Sequence, residues 1–160
     1  MKKFKKSIMI KGIYETHINV LDLERSIDFY KNILGLEQCS YDNDRRIAFF
    51  WVGQPQEYML GLWEKPSTEI VRMHFAFRCD KDDILNRSVD FLKTHNLKPY
   101  NFLKDGTDQP MVFAWMPALA IYFDDPDGHC LEFISILNGK AKPEAGIVTY
   151  EKWLELENIN

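Results

Sequence analysis

His17, His74 and Glu132 are the side chains of this 160-residue chain best suited to chemistry. Two imidazoles and one carboxylate form a common ligand set for a divalent metal ion that keeps positions open to a substrate. Zn, Ni, Mn and Fe all accept such a set, so residue type leaves the metal open. Each of the three lies in a stretch with strand character: Thr16-His17-Ile18-Asn19-Val20, Met73-His74-Phe75-Ala76-Phe77 and Cys130-Leu131-Glu132-Phe133-Ile134. A lone strand histidine is usually a packing or surface residue, so the case rests on how the chain arranges them.

The arrangement is a repeat. Arg25-Ser26-Ile27-Asp28-Phe29-Tyr30-Lys31 is echoed by Arg87-Ser88-Val89-Asp90-Phe91-Leu92-Lys93. His17 precedes Arg25 by 8 residues and His74 precedes Arg87 by 13, which gives the second copy a longer strand-to-helix loop. Pro55 precedes Gly61 by six residues, and Pro126 precedes Glu132 by six. Two copies of strand, helix and three strands follow: an α+β chain of tandem βαβββ modules at 8–66 and 70–137. A connector and C-terminal helix fill 138–160. A unit that buries one sheet face by itself gains by pairing with a second.

The elements come from periodicity and turn chemistry. Strands are expected at Ile8 to Val20, Leu36 to Tyr41, Arg46 to Val52 and Tyr58 to Trp63. Asp22 to Ile33 carries an apolar stripe of helical period, with Asp22 as cap and Gly35 as stop. The second copy runs as a strand over Val71 to Arg78 and a helix over Asp82 to Thr94. Short strands follow near Tyr100, near Val112 and at Leu119 to Phe123, then a longer one at Cys130 to Leu137. Lys104 to Pro110 is a polar loop over the sheet and a candidate lid. Thr149 to Leu156 is a terminal helix with Tyr150, Trp153, Leu154 and Leu156 on its apolar face.

Strand parity then groups the side chains. If the copies match, His17, Gly61, His74 and Glu132 face one cleft. Three of these can ligate, and Gly61 leaves its position to water or substrate. Met59 and Trp63 share the parity of Gly61 and are pocket candidates, with Trp115 beside them among the aromatics. Arg45, Arg46 and Arg72 are available to an anionic substrate group, although solvation is their default. His95, at a helix end, and His129, in a turn, are expected at the surface. Asp124, Asp125 and Asp127 surround Pro126 and Gly128 in a hairpin signal and are expected to be structural.

Composition excludes several classes. The net charge of −4 argues against a general nucleic-acid binder, and the four lysines among residues 2–6 suit a solvated tail. No apolar run approaches the ~20 residues of a membrane span. Cys39, Cys79 and Cys130 are odd in number and lack CxxC spacing, so they are expected to be packing residues in a reduced cytoplasm.

Over residues 10 to 137 the chain resembles the vicinal oxygen chelate superfamily, the group of glyoxalases, bleomycin-resistance proteins and extradiol dioxygenases. The resembling residues are His17, Val20-Leu21-Asp22-Leu23-Glu24-Arg25-Ser26, Phe29-Tyr30, Leu34-Gly35-Leu36, His74, and Asp125-Pro126-Asp127-Gly128 leading to Glu132. The resemblance implies a cupped mixed sheet around a metal-binding cleft, ligands at His17, His74 and Glu132, a small-molecule substrate and a homodimer. Catalytic roles would fall on Glu132 and Tyr122. Glyoxalase I has a metal-bound Glu in each module; Gly61 stands in place of one, which points away from hemithioacetal isomerisation. Dioxygenases carry a His shortly before the tyrosine matching Tyr122, and Phe113-Ala114-Trp115 lacks it. Metal-dependent lyase, isomerase or thiol-transfer chemistry is implied, with a metal-free binding protein for a hydrophobic small molecule as the alternative.

Overall fold

Asp22 starts the first helix by accepting the Arg25 N–H at 3.0 Å, which satisfies an amide the helix itself leaves unpaired. The computed structural model describes residues 10–158; the N-terminal lysines lie outside them. The chain divides between Ile70 and Val71 into two compact units. In the first, strand β1 (Glu15–Val20) leads into helix α1 (Leu23–Asp28), which widens into a π-helical turn over Phe29–Ile33. Gly35, at φ 77°, takes the left-handed conformation that ends the helix. Strands β2 (Glu37–Asp42), β3 (Ile47–Val52) and β4 (Tyr58–Glu64) complete a four-stranded sheet in the order β1-β4-β3-β2. Of the strand expected from Ile8, residues 8 and 9 lie outside the described residues, and over 10–20 regular pairing begins at Glu15.

One face of this sheet is fully buried. Ile18, Val20, Ala48, Phe50, Leu60 and Leu62 are each 2% exposed or less, and Tyr30 from the π turn packs on Phe50. The alternate residues Glu15, His17, Phe49, Gly61 and Trp63 lie on the other face. Helix and sheet are tied by Glu64, which accepts from the Leu23 N–H and pairs with Arg46 at 2.8 Å. The hydrogen bond from Arg46 holds the Glu64 carboxyl down to about 2. This contribution to stability is therefore complete above about pH 4.5 and is lost as pH falls towards about 2. In urea unfolding, Glu64→Gln should be less stable than the parent near neutral pH. That gap should close through this acid window, and a gap independent of pH would contradict the assignment.

In the second unit, β5 (His74–Arg78) is followed by α2 (Lys81–Asn86) and α3 (Ser88–Thr94). The expected single helix is broken at Arg87, whose φ is −131°. The buried Ser88 hydroxyl donates to the Ile84 carbonyl at 2.6 Å, a back-bond that competes with regular helix geometry. Strands β6 (Met111–Phe113), β7 (Ala118–Asp124), β8 (Cys130–Ile136) and β9 (Ile147–Thr149) follow, and α4 (Tyr150–Asn158) ends the unit. The sheet order is β5-β8-β7-β6-β9. Near Tyr100 only an isolated bridge to Tyr122 forms, and residues 101–110 loop out before β6 resumes along the same edge of β7.

Residues 138–158 do more than connect. Val148 pairs with Val112, so β9 extends the sheet. Trp153 of α4 is 2% exposed and packs with Ile84, Val112, Ala114, Leu119 and Ile121. Leu154, expected on the same apolar face, is instead exposed. No helix among the described residues is long and apolar enough to cross a membrane.

Candidate functional site

The two strand registers decide which residues correspond. In the first unit β1 runs parallel to β4, with Glu15 opposite Met59 and His17 opposite Gly61. In the second unit β5 runs parallel to β8, with His74 opposite Cys130 and Ala76 opposite Glu132. Taking Gly61 and Glu132 as equivalent makes Glu15, not His17, the counterpart of His74. The expected matching of the two histidines is thus wrong by two residues. Both registers place a large side chain opposite a small one: His17 over Gly61 in one unit, Glu132 beside Ala76 in the other.

His17 makes specific contacts within its own unit. Its Nδ1 accepts from the Trp63 indole at 3.1 Å, and the rings stack with centroids 5.8 Å apart. Indole N–H is only a donor, so in neutral His17 the proton sits on Nε2, which faces Glu15 at 3.5 Å. Nε2 therefore presents a hydrogen, not the lone pair a cation needs. A Cβ on Gly61 would lie 2.9 Å from both the His17 and the Phe49 ring carbons. The position expected to be left to water or substrate is filled by these rings. Trp63 does share this face with Gly61 and Met59, as parity predicts, and Arg45 lies over it with 5.3 Å to the ring centroid.

Overpacking of this kind costs about 1–3 kcal/mol, so Gly61→Ala should be destabilised by that amount in urea unfolding. His17→Ala should recover part of the loss, because it removes one of the two rings. An unchanged midpoint for Gly61→Ala would show that the rings do not need the glycine.

In the second unit the structure brings together His74, Glu132 and Tyr122. His74 Nε2 stands 3.2 Å from Glu132 Oε2, and Tyr122 is paired across the sheet with Glu132. His74 Nδ1 lies 3.0 Å from the Cys130 carbonyl, which can only accept, so Nδ1 carries the proton. In neutral His74 the Nε2 lone pair then points at a carboxylate oxygen, and two acceptors at that distance need a positive charge between or upon them. Glu132 is 4% exposed, and its Oε1 is buried without a hydrogen-bond partner. Burial raises the Glu132 carboxyl; the Tyr122 hydroxyl and His74 act in the opposite direction without cancelling it. Burial, reinforced by the Glu132 charge, pushes the Tyr122 hydroxyl far above the ordinary tyrosine range. Tyr122 is therefore a neutral donor near physiological pH.

A cavity of about 370 Å³ opens on this face. His74, Tyr122, Tyr100 and Phe102 supply rings, Arg72 and Lys104 supply charge, and Cys130 lies at its floor. Tyr122 is central: the ring centroids of Tyr100, His74 and Phe102 lie 5.9, 5.9 and 6.2 Å from its own. Asp124 holds two of the others, accepting from Tyr100 and from Arg72 at 2.8 Å each. This gives Asp124 a part at the cavity beyond the turn role expected of it. Trp115 sits in the β6–β7 turn, 57% exposed, away from this cavity.

His129 reverses its expected surface placement. It is fully buried, and its Nδ1 accepts the Met73 N–H at 3.1 Å while its own N–H donates to Asp125. It thus pins the start of β5 to the hairpin before β8. His95 is half-buried at its helix end. Tyr100, Phe102 and Lys104 were missed as site residues because they flank or occupy an aperiodic loop, where neither strand parity nor helical spacing applies.

The donor sets divide. Glu132, with an orphaned buried oxygen, and His74, with its Nε2 lone pair, fit a divalent cation; His17 does not. Among the described residues no group of three or more His, Cys, Asp or Glu side chains is gathered to hold a metal ion. His74 and Glu132 come together within the second unit, whereas His17 belongs to the first.

Residues 12–133 match the family model of the Glyoxalase/Bleomycin resistance protein/Dioxygenase superfamily. An integron cassette protein from the mobile metagenome of the Halifax Harbour sewage outfall is 32% identical, with a TM-score of 0.67 over 79% of this chain and 100% of that one. Lactoylglutathione lyase of Agrobacterium tumefaciens shares the fold at 18% identity and a TM-score of 0.62, over 80% of this chain and 96% of that one. The fosfomycin resistance protein FosX of Mesorhizobium loti does so at 22% and 0.57, over 81% and 95%. With most of its length covered by that match, the chain belongs to the glyoxalase, bleomycin resistance protein and dioxygenase superfamily.

Proposed function

We propose that this protein is a metal-dependent enzyme acting on a small molecule, and that His74 and Glu132 supply two ligands of a divalent cation. The observation that carries this reading is the Glu132 Oε1 buried without a hydrogen-bond partner, with His74 Nε2 3.2 Å from the other oxygen, Oε2. A carboxylate oxygen buried without a partner is costly, and a bound cation relieves it. When bound, the cation supplies Lewis-acid polarisation of a substrate oxygen.

The chain's own groups do the rest. The Cys130 carbonyl fixes the His74 tautomer and ring orientation. The Tyr122 hydroxyl keeps its proton and donates to Glu132, which steadies the carboxylate. Glu132, with its raised affinity for a proton, is suited to take one from a bound substrate at neutral pH. Phe102 and Tyr100 shield the face from water and orient a planar group. Lyase, isomerase and thiol-transfer reactions all draw on these roles, and one structural neighbour is named a lactoylglutathione lyase.

The aromatic cavity also suits the second reading, a binding protein for a hydrophobic small molecule that works without metal. Elemental analysis after loading with Zn²⁺ or Mn²⁺ and exhaustive dialysis separates them. The enzyme reading expects about one ion per chain, lost in Glu132→Gln. Ligand binding with no retained ion would favour the binder.

A further inference from the structure

We infer that the second unit's cavity takes a planar aromatic acid, with Lys104 as the partner of its acidic group. This names the substrate class of the proposed site and rests on that face being where the small molecule binds. The rings come first. Tyr100 and Tyr122 lie nearly parallel, 19° apart, and Phe102 stands over the same group from the looped-out segment. Phe102 is 56% exposed although it touches this cluster, so much of its ring is available to a guest. An aromatic guest laid against the open side of this cluster gains stacking as well as area.

The charge comes next. Arg72 is already answered by Asp124 at 2.8 Å. Lys104 is not: its Nζ lies over the Tyr100 ring, 5.6 Å from the centroid, and it makes no ion pair among the described residues. The Lys104 backbone sits at φ 51°, in the left-handed region, with its N–H bonded to Asn101. That turn is held from below by Asn101, which is fully buried and donates to Asp105 and Thr107. The loop thus presents one ring and one unanswered cation to the cavity from a braced base. Both tyrosine hydroxyls already donate to carboxylates, Tyr100 to Asp124 and Tyr122 to Glu132, and neither carries a positive charge for an anion. A guest of this class would lay its ring on Tyr122 and Phe102, its acid at Lys104 and its other end towards His74 and Glu132.

Calorimetry with 2-naphthoate and its neutral isostere 2-naphthamide tests this on the full chain. Naphthoate should bind about 5- to 10-fold more tightly, the value of one partly solvated charge pair. Lys104→Met should erase that preference by weakening naphthoate alone, and Lys104→Arg should keep it. Phe102→Ala should weaken both ligands. Equal binding of the two ligands, a preference that survives Lys104→Met, or no binding of either overturns the inference. Repeating the titration with a chelator and with Zn²⁺ separates it from the metal reading. Lys104-dependent binding under chelator supports the ligand class even if no ion is ever retained. A chain that retains the ion yet ignores naphthoate refutes the ligand class alone.

Discussion

Glu132→Gln loses at least roughly 100-fold in divalent-cation affinity, because removing an anionic ligand costs about 3 kcal/mol or more at a buried site. The same substitution leaves folding stability intact or raises it. A buried carboxylate that burial disfavours is replaced by a neutral amide, whose N–H donates to the lone pair of His74 Nε2. The two effects have opposite directions, which a general loss of structure cannot imitate. His74→Ala should lose cation affinity in parallel, whereas His17→Ala should leave it nearly unchanged, since the His17 Nδ1 is engaged by Trp63. Calorimetric titration of the three variants, with urea unfolding beside it, checks the set. Equal affinity in the parent and Glu132→Gln would remove Glu132 from the ligand set.

Trp153→Ala costs about 3–5 kcal/mol, the range for removing a large aromatic side chain from a core. Trp153 is 2% exposed, fills the centre of a cluster from α2, β6 and β7, and has Lys142 Nζ over its ring at 5.9 Å. Gly139 is shaped around it, since a Cβ there would lie 2.8 Å from the Trp153 ring. The terminal helix is therefore a wall of the second unit's core, and its loss exposes β9 as well. Trp153→Phe should keep most of the stability. A loss below about 1 kcal/mol for Trp153→Ala in equilibrium unfolding would mean that α4 only rests on the surface.

The elements were legible because their signals are local. Asp22 capping, Gly35 in the left-handed region, and the alternation of β4 and β8 all act over a few residues. Strand alternation puts His17, Gly61 and Trp63 on one face of the first sheet, and His74 with Glu132 on one face of the second. What failed was registration between the copies. Residue type drew His17 to the place of His74, while backbone pairing gives that place to Glu15, which lies 10 residues before Arg25 against 13 for His74 before Arg87. Nothing in spacing alone separates an 8-residue from a 10-residue match when the loops differ in length. Strand β9 was missed because three residues carry no period, and its pairing with β6 is set by chain closure. His129 looked like a turn residue beside Gly128; only the tertiary fold reveals the Met73 amide it accepts from. Loop 101–110 offers Phe102 and Lys104 to the cavity through backbone bracing by Asn101, which no periodicity announces.

The central claim is that His74 Nε2 and Glu132 face one cation, and imidazole nitrogen NMR reads it at the atom concerned. In ¹⁵N-histidine-labelled protein, His74 should carry its proton on Nδ1 and His17 on Nε2, as their acceptor and donor partners dictate. On titration with Zn²⁺, the His74 Nε2 resonance should move to a saturating end point near one equivalent, with Nδ1 still protonated and His17 unmoved. In Glu132→Gln that movement should need far higher Zn²⁺. A His74 protonated on Nε2 in its neutral form, or one whose resonances ignore Zn²⁺ while the parent chain retains the ion, would contradict the claim.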